Sequence, residues 1–92
     1  MDLVVTTKDY CFSLDGVELS LVIIFMEQYL KTCVTTGTYW LTKKEIVQLI
    51  KYIEDNQSAF ELHPNNYTFL IDRFKSMEML MSGEEKAKFY FW

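Results

Sequence analysis

Thr42-Lys43-Lys44-Glu45 opens the most constrained stretch of this chain. A Thr followed three residues later by Glu is a capping box. The Thr42 hydroxyl accepts from the Glu45 amide and the Glu45 carboxylate accepts from the Thr42 amide, which satisfies two of the orphan donors at a helix start. Leu41 before the cap and Ile46 after it are placed to form a hydrophobic staple. Ile46, Leu49, Ile50 and Ile53 then recur at i, i+3, i+4 and i+7, a single apolar stripe, with Lys44, Gln48, Lys51 and Asp55 on the opposite side. The spacing predicts a helix over about 43–55. Asp55-Asn56 is its expected end, because Asn tolerates the left-handed conformation. An amphipathic helix must bury its stripe on another element, and most of the remaining chain reads as strand.

In the first half, Asp15-Gly16 lies between Phe12, Leu14 and Val17, Leu19, Leu21. A two-residue DG turn with such flanks predicts a hairpin pairing Leu14 with Val17 and Phe12 with Leu19. The second strand would run on through Ile23 and Phe25, apolar on both faces from Val22. A further hairpin, 29–35 with 38–41, would turn at Thr36-Gly37. A helix at about 17–33 is the alternative: Leu19, Val22, Ile23, Met26, Leu30 and Cys33 fit one stripe, and Glu27 with Lys31 is a favourable pair.

The last third alternates. Phe60 and Leu62 precede a Pro64-Asn65-Asn66 turn; Tyr67, Phe69 and Ile71, then Met77, Met79 and Met81, follow. Ser82-Gly83-Glu84 is a second turn, and Ala87, Phe89 and Phe91 alternate with Lys86, Lys88, Tyr90 and Trp92. These segments predict a meander of about four strands. The expected fold is α+β, a single domain over 1–92, with antiparallel sheet or sheets built from hairpins and packed on the 43–55 helix.

Ninety-two residues leave room for one core and little else, since a domain this small buries roughly 60–65% of its unfolded surface. The formal charge is −4. Residues 1–30 hold Asp2, Asp9, Asp15, Glu18 and Glu27 against Lys8 alone, a net −4, so the rest of the chain nets zero. Such a surface repels polyphosphate and suits a basic protein partner rather than nucleic acid. MDLVVTTKDY lacks the basic and apolar regions of a signal peptide, and the longest apolar run, Leu21 to Met26, is far too short to span a bilayer. The expectation is a cytoplasmic protein with no membrane contact.

Chemistry-bearing patterns are sparse. Gly16, Gly37 and Gly83 each fall in a predicted turn, so none forms a phosphate-cradling loop, and the G-x-S-x-G pattern is absent. His63, the one histidine, precedes Pro64 and reads as a solvated loop residue. Cys11 and Cys33 form no CxxC and read as buried free thiols, with a single disulfide as the alternative in an oxidising compartment. No enzyme activity, cofactor or metal is expected. Met77, Met79 and Met81 read as gap-filling core, or else as an adaptable apolar surface. On the last strand Tyr90 and Trp92 share a face with Lys86 and Lys88, a composition common at interface hot spots. The candidate partner-binding residues are therefore Asp9, Asp15, Glu18, Glu27, Tyr90 and Trp92. The DG hairpin would place Asp15 in the turn, Glu18 in solvent, and Asp9 and Glu27 near opposite ends of one ribbon.

The run from Gly37 to Asp55, a strand ending in Trp40-Leu41 that leads straight into the Thr-capped helix, is followed from Ser58 to Asp72 by an alternating segment. Over about 36–75 this layout resembles that of small β-rich bacterial immunity proteins of polymorphic toxin systems. Small phage-encoded inhibitors of host defence have a similar profile. The resemblance implies a protein that binds and blocks a toxin, nuclease or defence protein. The alternative is a self-associating structural or accessory domain, in which strands pair across a homodimer.

Overall fold

In a computed structural model of the protein, residues 1–58 and 64–92 are described; the expected Phe60/Leu62 alternation and His63 lie outside them. The elements run β1 (Leu3–Thr6), β2 (Cys11–Leu14), α1 (Gly16–Tyr29), β3 (Gly37–Thr42), α2 (Lys43–Asp55), α3 (Pro64–Leu80) and β4 (Lys86–Phe91). The fold is α+β. The strands form one antiparallel sheet in the order β2-β1-β4-β3. Of the described residues 51% are helical and 23% are strand, so helix outweighs the predicted meander.

Alternation in the strands divides the sheet into two faces. Leu3, Val5, Leu14, Leu41, Ala87, Phe89 and Phe91 point inward and are buried, with Phe12 and Tyr39 packed beside them. The helices cover this inner face. Phe74 of α3 meets Phe12 and Phe89 at ring separations of 5.0 and 6.3 Å, and Phe25 of α1 meets Tyr52 of α2 at 5.6 Å.

The capping box of α2 forms as expected. Glu45 N–H donates to Thr42 Oγ1 at 3.2 Å, and Thr42 N–H donates to Glu45 Oε1 at 2.9 Å. Ile46, Leu49, Ile50 and Ile53 are buried, together with Tyr52. The helix end differs in detail. Asn56 has φ −114°, outside the left-handed region, and its side-chain amide donates to the Tyr52 carbonyl at 2.8 Å. Lys43 ties α2 to the end of α3, donating to the Met81 carbonyl at 2.9 Å.

Several expectations are corrected. Asp15-Gly16 is not a hairpin turn: Leu14 pairs with Leu3 and Phe12 with Val5. Asp15 is extended and Gly16 turns the chain off the sheet edge with φ +58°, a conformation that costs glycine little. The helical alternative is the one found, ending at Tyr29. It buries Leu19, Val22 and Met26 with Leu21 and Phe25, and this burial overrides the strand preference of its β-branched residues. Secondly, β3 forms no hairpin with 29–35 but pairs with β4. Thirdly, the alternation over 67–81 belongs to a helix. Leu70, Ile71, Phe74 and Met77 face the core at helical spacing, while Phe69 and Met79 are exposed. Pro64 is not in a turn between strands but is the first helical residue, where its missing N–H costs nothing. Both cysteines are free, as read, but exposed rather than buried.

At the end of α1, Lys31 has φ +55°, a left-handed position held by the Thr32 N–H folding back to the Met26 carbonyl at 3.3 Å. Lys31→Gly is expected to raise stability by about 0.5–1 kcal/mol, the relief of left-handed strain less the extra chain entropy of glycine. Thr42→Ala is expected to lower it by about 0.5–2 kcal/mol. Chemical-denaturation midpoints moving in opposite directions for the two variants are the check; a Lys31→Gly midpoint at or below wild type would contradict the first.

Candidate functional site: the open sheet face

The strand residues that do not enter the core project from the uncovered side of the sheet. Register sets them in rows. Ser13, Val4, Tyr90 and Thr38 lie side by side across β2, β1, β4 and β3; Cys11, Thr6, Lys88 and Trp40 form the next row. Thr42 lies beside Lys86. At the other end Asp2 and Trp92 continue the ladder, each N–H donating to the other's carbonyl at 2.9 and 3.0 Å.

Both tryptophans of the protein are on this face, and both are open to solvent: Trp40 is 58% exposed, Trp92 48% and Tyr90 42%. Residues two apart on one strand share a side, so Tyr90 and Trp92 stack, with centroids 5.7 Å apart and planes at 24°. The Lys88 ammonium lies 5.8 Å from the Tyr90 ring centroid, within cation–π range. Trp40 sits directly opposite Lys88. The result is an exposed aromatic surface in which, among the described residues, Tyr90 and Trp92 stack on each other. Beside it, Trp92 walls a depression of about 290 Å³ shared with Asp2, Ser13, Leu14 and Asp15.

The structure brings some of the sequence-predicted residues together and separates others. Tyr90 and Trp92 are adjacent, and Asp15 borders the same depression as Trp92. Glu18 lies in the first turn of α1, close enough to Asp15 for the two charges to repel. Asp9 sits in the loop between β1 and β2, at the far end of that hairpin from Asp15. Glu27 is nine residues along α1 from Glu18, about 14 Å away. The expected ribbon of carboxylates therefore does not exist: Asp2 and Asp15 form the acidic cluster beside the aromatics, with Glu18 next to it. Trp40 and Asp2 were absent from the candidates. Only the pairing of β4 with β1 and β3 places them there, and no local pattern announces that pairing.

Glu18 is half-buried, and desolvation pushes its carboxyl pKa above the ordinary 4.5; Arg73 of α3 pulls it down and Asp15 pushes it up further. Among the described residues no group of three or more His, Cys, Asp or Glu is placed to hold a metal ion. Nor is any described helix long and apolar enough to cross a membrane. Two further hollows lie among the helices: one beside Tyr29 and Tyr52, the other a groove between α2 and α3 lined by Val47, Ile50 and Met79. Compared with protein families, curated proteins and solved structures, the chain matches none. What defines the class of this protein is thus its own geometry: an α+β domain with helices on one side of a sheet and an aromatic surface on the other.

Because the folded-state pKa of Glu18 is raised, its ionised form opposes folding. The penalty is fully present above the folded pKa and disappears as pH falls below the unfolded value near 4.5. Glu18→Gln is therefore expected to be more stable than wild type at about pH 7, with the difference closing at about pH 3. Thermal midpoints at the two pH values measure this, and an advantage that persists unchanged in acid would assign it to something other than the Glu18 charge.

Proposed function

We propose that this is a non-catalytic protein-binding domain, an inhibitor or immunity protein that masks a basic protein partner at the Tyr90–Trp92 end of the open sheet face. The observation that carries this reading is the solvent-exposed stack of Tyr90 and Trp92 beside Asp2 and Asp15. Large aromatics left in water are costly to solvate, and at interfaces they supply most of the binding energy when a partner covers them. The neighbouring carboxylates favour a partner that presents Lys or Arg. Asp2 and Asp15, part of the acidic excess of residues 1–30, add attraction at this end of the face. The layout resemblance to immunity proteins of polymorphic toxin systems supports the reading only through its strand and capped helix over 37–55, since the segment expected to alternate is helix α3 from Pro64; a small domain with one core is in keeping with it. A cytoplasmic location and a toxin, nuclease or defence protein as partner complete the proposal.

Steering and holding are separable on this surface. Exposed charges act over the Debye length, about 10 Å at 0.1 M salt and about 3 Å at 1 M, so they set the encounter rate. The aromatic stack is covered only after docking, so it sets the dissociation rate. Candidate basic partners are captured from the host in parallel by wild type and by a Tyr90→Ala, Trp92→Ala double variant, then measured by surface plasmon resonance. Asp15→Lys with Glu18→Lys is expected to slow association, more so at low salt, and leave dissociation nearly unchanged. Trp92→Ala is expected to accelerate dissociation by about tenfold or more, the effect of losing an anchor worth over 1.4 kcal/mol. Wild-type kinetics in both variants would remove this face from the interface.

A further inference from the structure

The two edges of the sheet are unlike, and the difference bears on assembly. An edge strand offers unpaired N–H and C=O groups to any other strand, and proteins protect edges with charge, proline or brevity. Edge β2 is protected: it has four residues, with Asp9 in the loop before it and Asp15 directly after it. Edge β3 is not. Gly37-Thr-Tyr-Trp-Leu-Thr42 spans six residues with no Asp, Glu, Lys, Arg or Pro. Among the described residues β3 pairs with no strand but β4, while at its last residue the Thr42 N–H is held by Glu45 Oε1 in the capping box. Alternate N–H and C=O groups of an edge strand in an antiparallel ladder point away from its neighbour.

We propose that β3 pairs antiparallel with β3 of a second copy, joining two four-stranded sheets into one of eight strands. Charge selects this occupant. The whole net charge of −4 resides in residues 1–30, whose strands β1 and β2 lie on the far side of β4, so β2 is roughly 14 Å from β3 at three strand spacings. Two copies meeting at β3 therefore approach with Asp2, Asp9 and Asp15, at the ends of β1 and β2, directed apart, while Glu18 and Glu27 lie on α1 over the inner face. A basic partner is drawn instead to the acidic end. Meeting at β2 would bring Asp9 of one copy toward Asp15 of the other.

Symmetry selects the register. About a two-fold axis normal to the sheet, inward residues must stay inward, so an outward residue can only face another outward residue. Centring the axis on Trp40 sets it opposite its own counterpart, with Thr38 opposite a Thr42 whose N–H stays with Glu45, so the backbone bonds of the pair are centred on Trp40. That pairing places the exposed Trp40 at the axis and keeps Tyr39 and Leu41 on the core side. Directly opposed aromatics are favourable cross-strand pairs. One strand pair of this length makes a small interface, under about 1,200 Å², so dimerisation depends on concentration.

This proposal uses the β3 edge and is independent of Tyr90, Trp92 and Asp15. The test is sedimentation equilibrium of the full chain over a wide concentration series. The mass is expected to rise from 11.0 kDa toward twice that value. Trp40→Lys and Trp40→Glu are each expected to stay at 11.0 kDa throughout, and an equimolar mixture of the two to recover the dimer. Ser13→Lys, on the β2 edge, should dimerise like wild type. Far-ultraviolet circular dichroism verifies folding of each variant; if either Trp40 variant is unfolded, Trp40→Thr replaces the pair and is expected to move dimerisation to higher concentration. A wild-type mass of 11.0 kDa at every concentration overturns the proposal, as does a dimer that survives both single Trp40 substitutions or is abolished by Ser13→Lys.

Discussion

Strand β4 lies between β1 and β3, and its strict alternation decides what the rest of the molecule can be. Ala87, Phe89 and Phe91 are fully buried, while Lys86 and Tyr90 are exposed. Because side chains alternate and pairing holds the register, these six residues determine the inner and outer sides of both neighbouring strands. Three aromatic and aliphatic layers follow on the inside: Phe89 stacks toward Phe74, Phe91 meets Tyr39, and Leu3 and Val5 face the same core. A one-residue slip would put two phenylalanines in water and two cationic chains in the core, a change no small domain could absorb.

The same alternation creates the open face. The three helices bury most of the inner side, leaving Phe12 and Tyr39 of the edge strands partly covered, and the outer side carries the exposed residues. An antiparallel sheet tolerates this arrangement when its outer residues are polar. Here Thr6, Ser13, Thr38 and Thr42 meet that requirement, but Trp40, Tyr90 and Trp92 do not. Isolated exposed apolar residues are ordinary, whereas here a stacked pair and a further tryptophan share one face.

Local patterns were readable where one physical rule acted alone. The α2 boundary followed from Thr42 and Glu45, whose bonds are made within four residues. The β4 strand followed from uninterrupted period-two alternation. Misreadings occurred where two rules competed. Asp15-Gly16 has the composition of a hairpin turn, but the burial available to Leu19, Val22, Phe25 and Met26 as a helix outweighed it. In α3 the apolar residues at 67, 69, 71 and 77, 79, 81 mimic alternation, yet Leu70 and Phe74 complete a helical stripe that buries larger groups.

By itself, then, the sequence determined the α+β class, the capped helix, the alternating last strand, the charge asymmetry and the pairing of Tyr90 with Trp92, because each depends on composition or on residues near one another in the chain. The tertiary structure alone decided that β4 joins β1 to β3, that Trp40 and Asp2 reach the face of Tyr90 and Trp92, and that Asp9 and Glu27 stand apart from Asp15. Those outcomes rest on contacts between residues as much as 90 positions apart, such as Asp2 with Trp92. Long-range pairing is selected by the total burial of the folded chain, and no local segment carries that sum.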